Sequence, residues 1–118
     1  ASFGIERTQD FDLDAEFGPV TPGDQLEGVI ELNARLNTAA IYEMSLKNEY
    51  MGFADFRAAF TNETPGEWTV EPASGSLSKE PVNFIVRFRP QNPGVLEGFL
   101  VIETEDFKKT WKVVGSTA

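Results

Sequence analysis

Apolar and polar residues alternate along several stretches of this chain. In residues 11–17 every second side chain is apolar and those between are acidic. After a turn segment rich in Pro and Gly, a similar alternation resumes in residues 26–32. Because successive side chains of a β-strand point to opposite faces, both stretches predict half-buried strands, and their succession predicts an antiparallel pair. A third alternating stretch, residues 42–46, predicts another strand.

The second half of the chain shows the clearest strand pattern. Phe84, Val86 and Phe88 occupy alternate positions before Pro90, and two further alternating stretches follow before residue 114. Proline lacks the backbone N–H that a strand ladder needs, so it marks the end of a strand. About seven short strands separated by Pro and Gly predict an antiparallel β-sandwich.

Residues 49–60 fit two patterns. Tyr50, Phe53 and Phe60 approach helical spacing, whereas Phe56, Ala58 and Phe60 approach strand spacing. The alanines of this stretch favour one short helical turn. Its aromatic side chains either close one end of the core or form a surface for a partner.

The composition mainly excludes classes of chemistry. The chain has 118 residues, a length typical of one domain, and contains neither cysteine nor histidine. It therefore lacks thiolate nucleophiles, sulfur-ligated metal sites and the most common general base. We predict a single domain over residues 10–118 after an N-terminal extension over residues 1–9, with no enzymatic activity and no cofactor.

The charge of the chain is strongly negative and unevenly distributed. The formal net charge is −9, and residues 1–31 carry eight acidic side chains against Arg7 alone. Such a field repels nucleic acid phosphates, so we expect no nucleic acid partner. The acidic N-terminal part either meets a basic partner or is a solvated face that is kept soluble by its charge.

Three aspartates form the one pattern that resembles a metal site. Asp10, Asp12 and Asp14 match the start of an EF-hand loop, but Ala15 stands where that loop needs Gly and Thr21 where it needs Glu. On a strand the three carboxylates share one face. A divalent-cation or small-ligand binding module is therefore the alternative function, beside the simpler interpretation of a charged edge strand.

The second half of the chain resembles the ASH or Hydin-type domains, which belong with the major sperm protein and PapD-like domains. The resemblance implies an immunoglobulin-like sandwich that binds proteins or assembles complexes without catalysis. It is weaker before residue 48, and residues 33–37 lack the Asn-Thr-Gly type of turn common in that family. The matching segments are residues 68–77, 82–90, 93–94, 98–102 and 111–115.

The same motif has a direct physical interpretation. Pro72 and Gly75 permit a sharp change of direction, so residues 71–77 are expected to cross from one sheet to the other, with Leu77 re-entering the core. Trp68 and Trp111 supply large apolar areas for the space between the sheets. The predicted structural residues are Trp68, Pro72, Gly75, Leu77, Phe84, Val86, Phe88, Pro90, Gly94 and Trp111.

Apolar side chains at outward-facing positions indicate that a protein segment or partner covers them. Ile85, Phe99 and Val101 lie opposite the core-directed residues of their strands, where solvent would favour polar side chains. Either the N-terminal segment with Phe3 and Ile5 covers this face, or a larger assembly does. The predicted interaction residues are Ile85, Phe99, Val101, Phe53, Phe56, Asp10, Asp12 and Asp14.

Together these observations predict a non-catalytic structural or protein-interaction subunit that docks peripherally on a larger protein assembly. No apolar run reaches the about 18 to 20 residues of a membrane span, so any membrane association would come through protein partners. The chain starts at Ala1 without Met. A processed N-terminus would suit an exported space or an organelle lumen, such as the thylakoid lumen, whereas excision from a longer chain would suit a cytoplasmic or ciliary scaffold.

Overall fold

A computed structural model describes residues 18–48 and 52–117 of the chain. Within these residues all regular structure is β-strand, which confirms the predicted all-β class. The strands are β1 (Leu26–Ala34), β2 (Ala40–Leu46), β3 (Ala54–Phe60), β4 (Trp68–Glu71), β5 (Ser74–Leu77), β6 (Val82–Phe88), β7 (Val95–Glu103) and β8 (Lys108–Thr117).

The strands form two sheets. One has five strands in the order β1-β8-β7-β3-β5, and the other has three in the order β2-β6-β4. β1 runs parallel to β8, while every other pair is antiparallel. β1 contacts β2 and β3 contacts β4, so the sheets face each other with β1 and β2 on the same side. The arrangement confirms the predicted β-sandwich.

The core fills the space between the two sheets. Phe84, Val86 and Phe88 of β6 are fully buried, as their alternation predicted. The ring of Phe88 packs against Trp68 with 4.7 Å between ring centroids, and Gly115 leaves room for it, because a Cβ there would lie 2.6 Å from its ring atoms. The facing sheet contributes Phe56, Leu77, Leu100, Ile102 and Val113, with Trp111 half-buried beside them.

The chain crosses between the sheets where the sequence predicted it. β4 belongs to the three-stranded sheet and β5 to the five-stranded sheet, and the Glu71–Pro72 peptide bond between them is cis. Leu77 at the end of β5 is fully buried. Gly75 lies against the ring of Phe56, where a Cβ would come within 3.0 Å of Cε2. Glycine is thus required here by close packing.

Residues 54–60 are a strand, so of the two patterns left open for this stretch the strand spacing is confirmed and the short helical turn is wrong. β3 pairs with β5 on one side and with β7 on the other. Ala54, Phe56 and Ala58 point into the core and are buried. Pairing on both sides, with one face buried, outweighs the weak helical preference of the alanines.

The first half of the chain matches the predicted strands where it is described. Residues 26–32 lie in β1 and residues 42–46 in β2. Within the described residues, the sheet neighbour of β1 is β8. The predicted strand at residues 11–17, its pairing and the N-terminal extension lie outside the described residues.

Candidate protein-interaction surfaces

The structure separates the three outward-facing apolar residues that the sequence grouped together. Ile85 lies on β6, on the outer face of the three-stranded sheet. Phe99 and Val101 lie on β7, on the outer face of the five-stranded sheet. These faces are on opposite sides of the sandwich, so the three residues do not form one strip.

The outer face of the five-stranded sheet carries a buried ion pair. Nη2 of Arg57 on β3 lies 2.7 Å from Oε1 of Glu103 on β7, and both side chains are less than a tenth exposed. Nη1 of Arg57 donates a 2.7 Å hydrogen bond to the carbonyl oxygen of Gly18. Val101, on the same face, is only 1% exposed. A partner could not reach Val101 without displacing other residues.

Residues 18–23 are tied across this face by further polar contacts. The backbone N–H of Gly23 donates to Oγ1 of Thr110 at 2.8 Å, and Nζ of Lys108 donates to Oγ1 of Thr21 at 3.0 Å. The same Nζ lies 3.8 Å from Oε2 of Glu103. Residues 18–23 therefore cover part of this face. Phe3 and Ile5 lie outside the described residues.

Among the described residues, the outer face of the three-stranded sheet carries both apolar and charged side chains. Half-buried Ile85 stands between Glu43 of β2 and Glu71 of β4, its neighbours across the strands. In the next row Arg87 pairs with Ile41, and its Nη1 lies 3.8 Å from Oε2 of Glu71. Ile85 thus contributes a small apolar contact within a charged surface.

Among the other predicted interaction residues, the two phenylalanines have opposite environments. Phe53 is 79% exposed, whereas Phe56 is 1% exposed and packs edge-on against Phe84 with 5.2 Å between centroids. Phe56 is therefore a core residue that offers no surface to a partner, which corrects its predicted role. Asp10, Asp12 and Asp14 lie outside the described residues.

Two further searches of the described residues concern metal ligands and membrane-spanning helices. Within 18–48 and 52–117, no three or more Asp, Glu, His or Cys side chains are grouped so that they could hold a metal ion. In the same ranges no helix has the length and apolar character to span a bilayer.

Exposed apolar side chains concentrate at one edge of the sandwich. Seven large hydrophobic residues are exposed among the described residues, and five of them belong to β1, β2 or the loop between these strands. We call this surface the β1–β2 edge. Its residues are Leu26, Val29, Leu36, Ile41 and Tyr42.

Sequence reasoning missed this edge. The signal was the adjacent pair Ile41 and Tyr42, because two successive apolar residues of a strand must point to opposite faces. In the structure Tyr42 shares the core-facing side of β2 with Met44, yet stays exposed at the open margin of the sheet. Ile41 points to the outer face.

Comparisons with solved structures include neighbours of the ASH/PapD-like and MSP type. The ASH/PapD-like domain of human CEP192 (PapD-like domain 7) has a TM-score of 0.63 and 13% sequence identity, covering 80% of this chain and 82% of that chain. SSP-19, an MSP-domain protein like family member in Caenorhabditis elegans, has a TM-score of 0.53 and 10% identity, covering 75% and 94%. WR4, an MSP family member of the same organism, has a TM-score of 0.52 and 10% identity, covering 72% and 92%.

These neighbours confirm the predicted fold, an immunoglobulin-like sandwich of the ASH and MSP type. No protein-family model matches the sequence, and a comparison with curated proteins gives no match.

Proposed function

We propose that this chain is a non-catalytic structural and protein-interaction subunit that docks on a larger protein assembly through its β1–β2 edge. The observation that carries the proposal is that five of the seven exposed large hydrophobic residues among those described lie on β1, β2 or the loop between them, at one margin of the sandwich. The fold supports it, because the ASH and MSP type of sandwich is a protein-interaction domain type. Exposed apolar patches on otherwise polar surfaces commonly mark protein contact sites.

The size of the apolar surface is sufficient to drive binding. Val29 is 54% exposed and Ile41 51% exposed. Full burial of such a side chain contributes about 1.5–3 kcal/mol, so covering the exposed half of each contributes roughly 1 kcal/mol. Val29 lies on the outer face of the five-stranded sheet and Ile41 on the outer face of the three-stranded sheet, so a partner covers both only by wrapping around this margin.

Charge indicates what kind of partner fits this edge. Between residues 24 and 47 the chain carries four acidic side chains and two basic ones, within a protein of net charge −9. A partner surface with basic residues around an apolar centre would be complementary, and complementarity of this kind speeds encounter and disfavours wrong partners. The acidic chain would also resist association with copies of itself.

Affinity purification from the native source, followed by size exclusion, tests the proposal. We expect the wild-type chain to elute in a stoichiometric complex that persists at about 0.5 M salt, because apolar contacts are not screened. The double variant Val29→Thr, Ile41→Thr keeps β-branched side chains in both strands but removes apolar surface. We expect it to lose at least nine-tenths of the complex.

Val95→Thr is the matched control, because Val95 is similarly exposed but lies on β7, outside the β1–β2 edge. It should retain the complex. A wild-type chain that elutes alone, or equal recovery with both variants, would refute docking through this edge.

A further inference from the structure

The loop between β1 and β2 contains a tight turn, residues 35–38, which we call the β1–β2 turn. The backbone N–H of Thr38 donates to the carbonyl oxygen of Arg35 at 3.1 Å, and this hydrogen bond closes the turn. Asn37, its third residue, has a φ of 60°. A positive φ at the third position is typical of type II turns, which favour Gly or Asn there. Leu36 and Asn37 therefore form the tip of the turn.

The turn is fastened to the rest of the sandwich through the backbone of Asn37. Its N–H donates to the carbonyl oxygen of Pro90 at 2.8 Å, and its carbonyl oxygen accepts a 3.2 Å hydrogen bond from Nε of Arg89. The side chain of Pro90 is fully buried. Contacts within this chain thus set the conformation of the turn before any partner binds. A preformed loop loses less conformational entropy on binding, which raises affinity.

The side chains that the turn presents differ in charge from most of the chain. Leu36 is 43% exposed, and Arg35 and Arg89 on either side of the turn are exposed. Among the described residues, neither arginine takes part in an ion pair. Since the formal net charge of the chain is −9, their positive charge is opposite in sign to the overall field.

These features indicate what the turn can bind. An exposed apolar tip beside guanidinium groups is complementary to a surface that has an apolar depression with a carboxylate at its rim. The turn also joins the two sheets, because β1 belongs to the five-stranded sheet and β2 to the three-stranded sheet. A partner seated on the turn therefore lies at the margin where it can reach both outer faces.

We propose that the β1–β2 turn is a preformed contact in which Leu36 enters an apolar depression of the partner and Arg35 pairs with a carboxylate at its rim. This proposal rests on the proposed function and specifies the residues and the partner chemistry at one place of the β1–β2 edge. The rest of that edge is acidic and fits basic groups, so a carboxylate here distinguishes the partner from a uniformly basic surface.

The test measures how well labelled variants replace the native chain in the complex purified from its source. Labelled chain is added in increasing concentration, and size exclusion separates bound label from free label. We expect Leu36→Ser to need about fivefold more protein than wild type for half replacement, because it loses apolar contact. We expect Arg35→Glu to need about tenfold more, because it places a like charge against the carboxylate.

Two control variants keep the chemistry that the contact needs. Leu36→Met retains an apolar tip and should stay within about threefold of wild type. Lys79→Glu changes the net charge as Arg35→Glu does, but it alters an exposed residue of the loop between β5 and β6, so it should bind like wild type. Equal binding of the two charge variants, or wild-type binding by Leu36→Ser, would overturn the proposal.

Asn37 separates the shape of the turn from the side chains that it presents. Asn37→Gly keeps a residue that adopts positive φ readily and should bind within about threefold of wild type. Asn37→Ala disfavours positive φ and should bind about fivefold more weakly. Melting temperatures and chemical shifts outside the turn check that both variants keep the fold. Equal binding of the two variants would overturn the role of a preformed turn.

Failure of this proposal and failure of the proposed function give different results. If the wild-type chain elutes alone from the native source, docking is refuted and the turn contact with it. If the complex forms and the variant Val29→Thr, Ile41→Thr loses it, while Leu36→Ser and Arg35→Glu replace the native chain as wild type does, docking through the edge stands. Only the turn contact is then refuted.

Discussion

Phe56→Ala is expected to destabilise the protein by about 3–5 kcal/mol, as large-to-small substitutions of buried phenylalanines usually do. Phe56 is almost completely buried, packs edge-on against Phe84, and contacts Gly75 at the position where the chain crosses between sheets. Removing the ring leaves a cavity that the paired strands around β3 cannot close. Urea denaturation measured by fluorescence and circular dichroism gives the change in unfolding free energy.

Phe53→Ala is the matched control, three residues earlier in the chain. Phe53 is 79% exposed, so its truncation should change the unfolding free energy by no more than about 0.5 kcal/mol. Equal losses for the two variants would mean that β3 does not turn Phe56 toward the core. The comparison thus tests the strand assigned to residues 54–60.

Arg57→Met should have a comparably large effect, a loss of about 3–5 kcal/mol, because it leaves the buried carboxylate of Glu103 without its closest cation. The remaining cation, Nζ of Lys108, is 3.8 Å from Oε2. The substitution also removes the hydrogen bond to the carbonyl of Gly18. Thermal and urea unfolding would measure the loss.

Two further variants test whether the loss of stability comes from an unpaired buried charge or only from a missing contact. The double variant Arg57→Met, Glu103→Leu removes both charges and should recover most of the lost stability, since a buried pair replaced by apolar residues is often neutral. Arg87→Met breaks the more exposed contact with Glu71 and should cost at most about 1 kcal/mol. If the double variant were no more stable than Arg57→Met, an unpaired carboxylate would not be the cause.

The sequence predicted those parts of the fold that depend on local pattern. Phe84, Val86 and Phe88 alternate because only one face of β6 is buried, and periodicity detects that directly. The crossing before Leu77 followed from the backbone properties of Pro72. β3 was harder, because its pairing partners lie elsewhere in the chain while its alanines carry a local helical preference.

The candidate surfaces depend on contacts between distant parts of the chain, which no short stretch of the sequence reveals. Alternation shows that Ile85 and Phe99 face away from the core, but not that they lie on different sheets. The contact between Arg57 and Glu103 joins residues 46 positions apart. The position of β2 at the margin of its sheet, among the described strands, is likewise a property of strand order, which depends on the whole topology.

The most direct test of the central claim is amide hydrogen–deuterium exchange, compared between the free chain and the complex recovered from its native source. Exchange slows where backbone groups become covered or paired. We expect the added protection to concentrate in β1, β2 and the loop between them. Protection confined to the outer face of the five-stranded sheet, with β1 and β2 unchanged, would contradict docking through the β1–β2 edge.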